Sequence, residues 1–177
     1  MSNRSDELEN KAAIAEDDDG RLQERRKQFE AEQLTEDLVF HRFGQGICCG
    51  AQVFGALAED AGIDGDTARR IAAGFGSGMT CAGTCGCVTG SLMALGCRYG
   101  NFLPEQMERR SDFFEKRREF LKEFEARFGS TNCPKIVQGY DPSDPEDLEV
   151  IRSQLLMRKI CAPMVLASIG IAEALMR

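Results

Sequence analysis

Residues 101–129 read NFLPEQMERRSDFFEKRREFLKEFEARFG, the longest periodic stretch in the chain. Within it Phe113, Phe114, Phe120, Leu121, Phe124 and Phe128 recur at helical spacing, while Glu, Arg and Lys fill the other face. The pattern predicts one long amphipathic helix with a phenylalanine core stripe and a solvated charged face, ended by Gly129. Upstream, Cys85 through Val88, Leu92, Met93 and Leu95 to about Cys97 predicts a buried helix, in which Gly86, Gly90 and Ala94 permit close approach of a neighbour. Cys48–Ala61 places Cys49, Val53, Ala56 and Leu57 on one helical face, and Gly62 stops it. Asp64 or Asp66 can cap a further helix over Thr67–Ala73. Downstream, Asp144-Pro145-Glu146-Asp147 has the cap, the first-turn proline and the acids of a helix start, and a last helix carries Cys161–Leu175.

Between these segments, Gly74-Phe75-Gly76-Ser77-Gly78-Met79-Thr80-Cys81-Ala82-Gly83-Thr84 holds too much glycine for a helix interior. Arg21–Phe40 alternates charge with Leu22, Phe29, Leu34, Leu38 and Phe40, which allows one or two amphipathic helices. Residues 1–20 are acidic, close on Glu16-Asp17-Asp18-Asp19-Gly20, and offer few large apolar side chains, so a disordered tail is expected there. No useful strand alternation and no internal repeat is visible. The expected fold is all-α: an antiparallel helical bundle over residues 21–177, with one glycine-rich loop and one cysteine site.

Composition narrows the function. At 177 residues, 42% hydrophobic and 29% charged, the chain suits one packed domain and excludes a collagen-like repeat, a porin or a wholly disordered protein. A formal charge of -7 repels phosphate backbones, so nucleic acid is not expected as a partner. The longest apolar candidate, Ile160–Met176, is interrupted by Ser168, Glu173 and Pro163, so no membrane insertion is expected. No export signal is visible and the expected location is the cytoplasm. The glycine-rich loop lacks the Gly-Lys-Ser/Thr of a phosphate-binding loop, and the sole histidine, His41, reads as a surface or satisfied polar residue.

The eight cysteines, at 48, 49, 81, 85, 87, 97, 133 and 161, require the main explanation. In a reducing compartment they serve as metal ligands, catalytic thiols or buried inert thiols more often than as disulfides. No Cys-x-x-Cys pair is present, so a zinc ribbon, a thioredoxin site and covalent haem lack their local signatures. Cys49, Cys85 and Cys161 fall at predicted helix starts and Cys133 in a loop. Free N–H groups and the positive dipole end favour thiolate there. Glycines at 74, 76, 78, 83 and 86 can turn amides toward sulfur, and four thiolates can complete an iron–sulfur site. Cys97 reads as a core hydrophobe, and Cys48 can be one too. The Cys85-Gly86-Cys87 triplet supports an alternative, a metal-free thiol–disulfide pair at Cys85 and Cys87. A zinc-stabilised interaction module is a further alternative.

The ordered set Cys49, Gly74-Phe75-Gly76-Ser77-Gly78-Met79, Cys85-Gly86-Cys87-Val88-Thr89-Gly90, Leu92-Met93-Ala94-Leu95-Gly96, Phe128-Gly129-Ser130-Thr131-Asn132-Cys133 and Cys161 resembles the C-GCAxxG-C-C family, regarded as redox-active. The resemblance spans about Gly46–Glu173. It implies a four-cysteine framework on Cys49, Cys85, Cys133 and Cys161, with the Cys-Gly-Ala-x-x-Gly form of the motif on Cys85–Gly90 and Cys87 standing where that form has alanine. The family is similar to the cluster-bearing region of split-Soret cytochrome c. That similarity implies an iron–sulfur cluster and an electron-transfer protein with a redox partner, rather than a self-sufficient enzyme. The Phe-rich helix also allows a homodimer.

Overall fold

A computed structural model describes residues 20, 22–24, 27–29, 32–100 and 103–177. The chain divides into two units, Met1–Gln33 and Leu34–Arg177. In the first, residues 20, 22–24 and 27–29 are helical; the expected acidic tail, Gly20 apart, lies outside the described residues. The second is built from helices. Among the described residues there is no strand, only an isolated antiparallel bridge between Thr84 and Asn132, and the fold is all-α.

Helix boundaries follow local capping chemistry. The Thr35 hydroxyl accepts the N–H of Leu38 at 3.2 Å and opens α1 (Glu36–Gly44). The helix expected over Cys48–Ala61 is interrupted at Leu57 (φ -89°, ψ 3°), giving α2 (Cys49–Ala56) and α3 (Ala58–Ala61) before left-handed Gly62. Asp64, not Asp66, caps α4 (Gly65–Ala72) by accepting the Thr67 N–H at 2.8 Å. The glycine-rich connection begins with two 3₁₀ turns, Ala73–Phe75 and Ser77–Thr80. After it come α5 (Gly86–Tyr99) and α6 (Met107–Phe128), which Gly129 ends at φ 78°. The four-residue α7 (Cys133–Ile136) precedes α8 (Pro145–Ser153), where the Asp144 carboxylate accepts the N–H groups of Glu146 and Asp147. A π-turn, Met157–Cys161, leads directly into α9 (Ala162–Met176).

Packing centres on α5 and α9. α5 lies against α2, α6 and α9, and α9 also meets α1, α2 and α6. Phe120 and Phe124 of α6 are fully buried, each ring contributing about 1.5–3 kcal/mol. Phe114 departs from the expected core stripe: it is 38% exposed, with the Arg117 guanidinium 4.6 Å and that of Arg110 5.5 Å from its ring centre. Cation–π contact takes the place of burial there.

Contacts at both ends of α5 and α9 run in the same direction. The Cys85 thiol meets Met164 at 3.9 Å where the helices begin, and the Tyr99 hydroxyl donates to Leu175 O at 2.9 Å where they finish. An antiparallel arrangement therefore does not describe this pair, because α6 returns the chain between them. One consequence is that α5 and α9 begin near each other, at the end where their cysteines lie. The helix Met157–Met176 is also, by length and composition alone, long and apolar enough to cross a membrane, with 20 residues and an 18-residue window of mean hydropathy 1.6. It starts earlier than Ile160, and its Val165, Ile171 and Ala172 are buried in the core.

Close approach of α2 to α5 depends on glycine. A Cβ on Gly90 would stand 2.7 Å from Gly50 O and 3.1 Å from Val53 Cβ, whereas one on Gly170 of α9 would meet nothing within 4 Å. Gly90→Ala is expected to destabilise the protein by about 1–3 kcal/mol through overpacking. Gly170→Ala should stabilise it by up to about 1 kcal/mol through helix propensity. Urea midpoints of the two variants measure both.

Candidate metal centre

Cys49 is the first residue of α2, Cys85 the N-cap of α5, and Cys87 lies in that helix's first turn. Their sulfur atoms all lie within 4.8 Å of one another. Gly86 makes this possible: a Cβ there would stand 2.4 Å from Cys49 Sγ, 2.8 Å from Gly50 N and 2.9 Å from Phe75 O. The Cys-Gly-Cys sequence thus holds two thiols on either side of a gap that a third, from another helix, fills.

Cys133 arrives by a different route. The Cys85 N–H donates to Thr131 O at 2.8 Å and the Cys133 N–H to Gly83 O at 2.9 Å, flanking the Thr84–Asn132 bridge. Asn132 locks the two segments: its Nδ2 donates to Ala82 O at 2.7 Å while its Oδ1 accepts the Lys135 N–H and caps α7. Cys161 closes the π-turn. It is not at a free helix start, as the sequence had suggested, because Cys161 already has helical φ and ψ and the turn runs on into α9. Such insertions are frequent at functional sites.

All four framework cysteines, 49, 85, 133 and 161, line one cavity of about 190 Å³, together with Cys48 and Cys87. The remaining wall is largely apolar, including Phe43, Ile47, Val137 and Ile151. Cys81 and Cys97 are exposed. For Cys97 this corrects the expected core position, since it faces outward from α5. His41 is exposed and pairs with Gln45 Nε2 at 3.1 Å.

The electrostatics of the thiols are set by who donates to whom. Cys49 is held well below the ordinary thiol range because the Cys85 and Cys87 thiols both donate to it, with the amides of Ser77 and Gly50 adding to the effect. The same contact with Cys49 pushes Cys85 and Cys87 well up, since each is the proton donor. Burial, and then the Cys49 charge, raises Cys133 to about 12 and raises Cys161 as well. Burial likewise raises Cys48. Hydrogen bonds donated by two neighbouring thiols thus favour the thiolate form at Cys49 over that at Cys85 or Cys87.

The loop supplying the Ser77 amide is strained. Ser77, Met79, Thr80 and Ala82 all take left-handed φ, between 51° and 57°, each at a cost of about 1–3 kcal/mol. Sequence reading expected glycine amides to face the sulfurs; Ser77 and Gly50 serve Cys49, and Gly76 serves Cys48. Met164, whose thioether meets Cys85, was also missed, although its place one helical turn after Cys161 puts it on the same face.

The donor set fits a thiophilic metal. Tetrahedral coordination with metal–sulfur bonds of about 2.3 Å requires sulfurs about 3.8 Å apart, so small side-chain shifts would bring the trio to bonding distance. At roughly 30 Å³ per liquid water molecule, the cavity has space for a group larger than one ion. Fold and site together define a helical protein with a cysteine-lined cavity whose thiols could hold a metal ion. The chain belongs to the C_GCAxxG_C_C family, described as "Putative redox-active protein (C_GCAxxG_C_C)", whose sequence profile matches residues 47–175. No curated protein and no solved structure matches it.

The raised Cys133 thiol has a pH consequence. An unfolded chain loses this proton near 9.0, whereas the folded metal-free protein keeps it to about 12. The unfolded state thus binds fewer protons between those values, so this contribution to stability is present below pH 9 and is lost as pH rises toward 12. Urea unfolding of reduced, metal-free protein at pH 8 and 11 should show a fall in stability that is smaller in Cys133→Ala.

Proposed function

We propose that this chain is a redox protein that holds an iron–sulfur cluster through Cys49, Cys85, Cys133 and Cys161 and exchanges single electrons with an oxidoreductase partner in the cytoplasm. The observation that carries the proposal is the convergence of these thiols, remote in sequence, on one largely apolar cavity. When bound, such a cluster supplies reversible one-electron chemistry.

The chain's own residues do the rest. Phe43, Ile47, Val137 and Ile151 limit water at the cavity wall, and a low dielectric around the sulfurs shifts the potential of whatever they hold. The Ser77 and Gly50 amides stabilise charge on Cys49. Thiols that are buried and protonated in the metal-free protein must each release a proton on ligation, so loading is favoured by rising pH.

A second reading, a thiol–disulfide relay at Cys85 and Cys87, is favoured by their sulfurs lying within 4.8 Å of each other. Oxidation would join them with loss of two protons and two electrons to a disulfide partner. A zinc-stabilised module uses the same donors.

Protein purified without oxygen is expected to contain iron and acid-labile sulfide and to give an EPR signal on reduction or oxidation. Cys85→Ser should lose at least about tenfold of the bound iron and Cys97→Ser should keep it. Colourless protein that takes up no iron on reconstitution would contradict the proposal. Stoichiometric zinc in protein made with ample iron would favour the module, and a reversible two-electron change confined to Cys85 and Cys87 in alkylation mass mapping would favour the relay.

A further inference from the structure

Cys87 stands where the family pattern has alanine, yet the structure does not treat it as an alanine-like filler. It is completely buried, lines the cavity, and has its sulfur within 4.8 Å of those of both Cys49 and Cys85. Among the described residues these three form the group of metal-ligating atoms that come this close together. Cys133 and Cys161 share the cavity without joining that group.

We infer that Cys87 is a metal ligand, completing with Cys49 and Cys85 a three-sulfur face that takes a thiophilic cation. The inference deepens the proposed metal-holding role and rests on it, but it changes the ligand set. Cys87, rather than one of the two more distant thiols, is the third sulfur to engage, and Cys133 or Cys161 supplies the fourth position.

Three features support it. Cys85 and Cys87 come from one helical turn with Gly86 between them, so their separation is fixed by the backbone of α5 and not by a mobile loop. Cys49 is set over that glycine by α2, where any larger side chain at position 86 would displace its sulfur. Met164 closes the far side of Cys85 at 3.9 Å with another soft sulfur atom. Charge balance is simple: each ligand that is still a thiol releases its proton to solvent, and a divalent cation on three thiolates leaves a complex with one net negative charge, which a neutral fourth donor leaves unchanged and a fourth thiolate raises to two.

The test uses Co²⁺ added without oxygen to the full-length, reduced, metal-free protein, with Cys87→Ala and Cys97→Ala as variants. Thiolate-to-cobalt absorption reports how many sulfurs coordinate, independently of any activity. Wild type and Cys97→Ala are expected to show the same bands. Cys87→Ala should lose one thiolate's share of the intensity and bind Co²⁺ at least about tenfold more weakly. Thermal unfolding of the metal-free variants establishes that they are folded, and Cys87→Ser, nearly isosteric, repeats the comparison should the alanine variant fail to fold. Equal cobalt spectra and affinity in wild type and the folded Cys87 variant would overturn the inference while leaving an iron–sulfur centre on the other thiols intact. Cobalt bound through Cys87 in a protein that never takes up iron would sustain the inference and sink the cluster proposal. No cobalt binding by wild type would overturn this inference.

Discussion

Contact between α2 and α5 is the constraint on which the site depends. Gly50, Gly86 and Gly90 let the two backbones approach so closely that a methyl group at position 86 or 90 would meet heavy atoms at 2.4–2.7 Å. This proximity sets Cys49 against the Cys85–Cys87 turn. A looser helix pair would preserve the fold class and lose the thiol geometry. The glycines thus act on function through packing: they define how near sulfur from one helix can come to sulfur from another.

The second determinant is the meeting of several chain segments at one end of the helices. α5 and α9 run side by side in the same direction, and the Thr84–Asn132 bridge brings the Cys133 segment to the start of α5. Each connection is made by backbone hydrogen bonds or by Asn132, so Cys133 reaches the cavity without needing a long helix of its own. The thiols then experience two opposing forces. Burial opposes ionisation of Cys133 and Cys161, while donated hydrogen bonds stabilise the thiolate of Cys49. A cation entering the cavity would remove that opposition by pairing with every sulfur it touches. The left-handed residues between Ser77 and Ala82 hold an amide against Cys49 despite their conformational cost, as strained loops at functional centres do.

Much of the helical plan was legible in the sequence because its signals are local. Asp144 and Pro145 mark the start of α8, Gly62 and Gly129 mark ends by adopting positive φ, and the Phe120–Phe124 spacing marks the buried face of α6. The exposed position of Phe114 was not legible, since a stripe gives helical phase but not which edge of it a neighbour covers. Likewise, Cys49 and Cys85 could be placed at helix starts from where the apolar periodicity begins, whereas no local signal marks the π-turn that ends at Cys161. Cys87 as a close partner of Cys49 required tertiary contact across Gly86, which no sequence spacing reports. The family match over residues 47–175 agrees with the order of the cysteines but does not choose among the six that line the cavity.

Anomalous diffraction from crystals grown without oxygen, collected on both sides of the iron absorption edge, tests the central claim most directly. The account predicts an iron peak inside the cavity, with the sulfur atoms of Cys49 and Cys85 at about 2.3 Å from metal and further cysteine sulfur completing the shell. An iron-free cavity in protein reconstituted with iron and sulfide, or cysteine sulfurs turned away from one another onto separate surfaces, would contradict it.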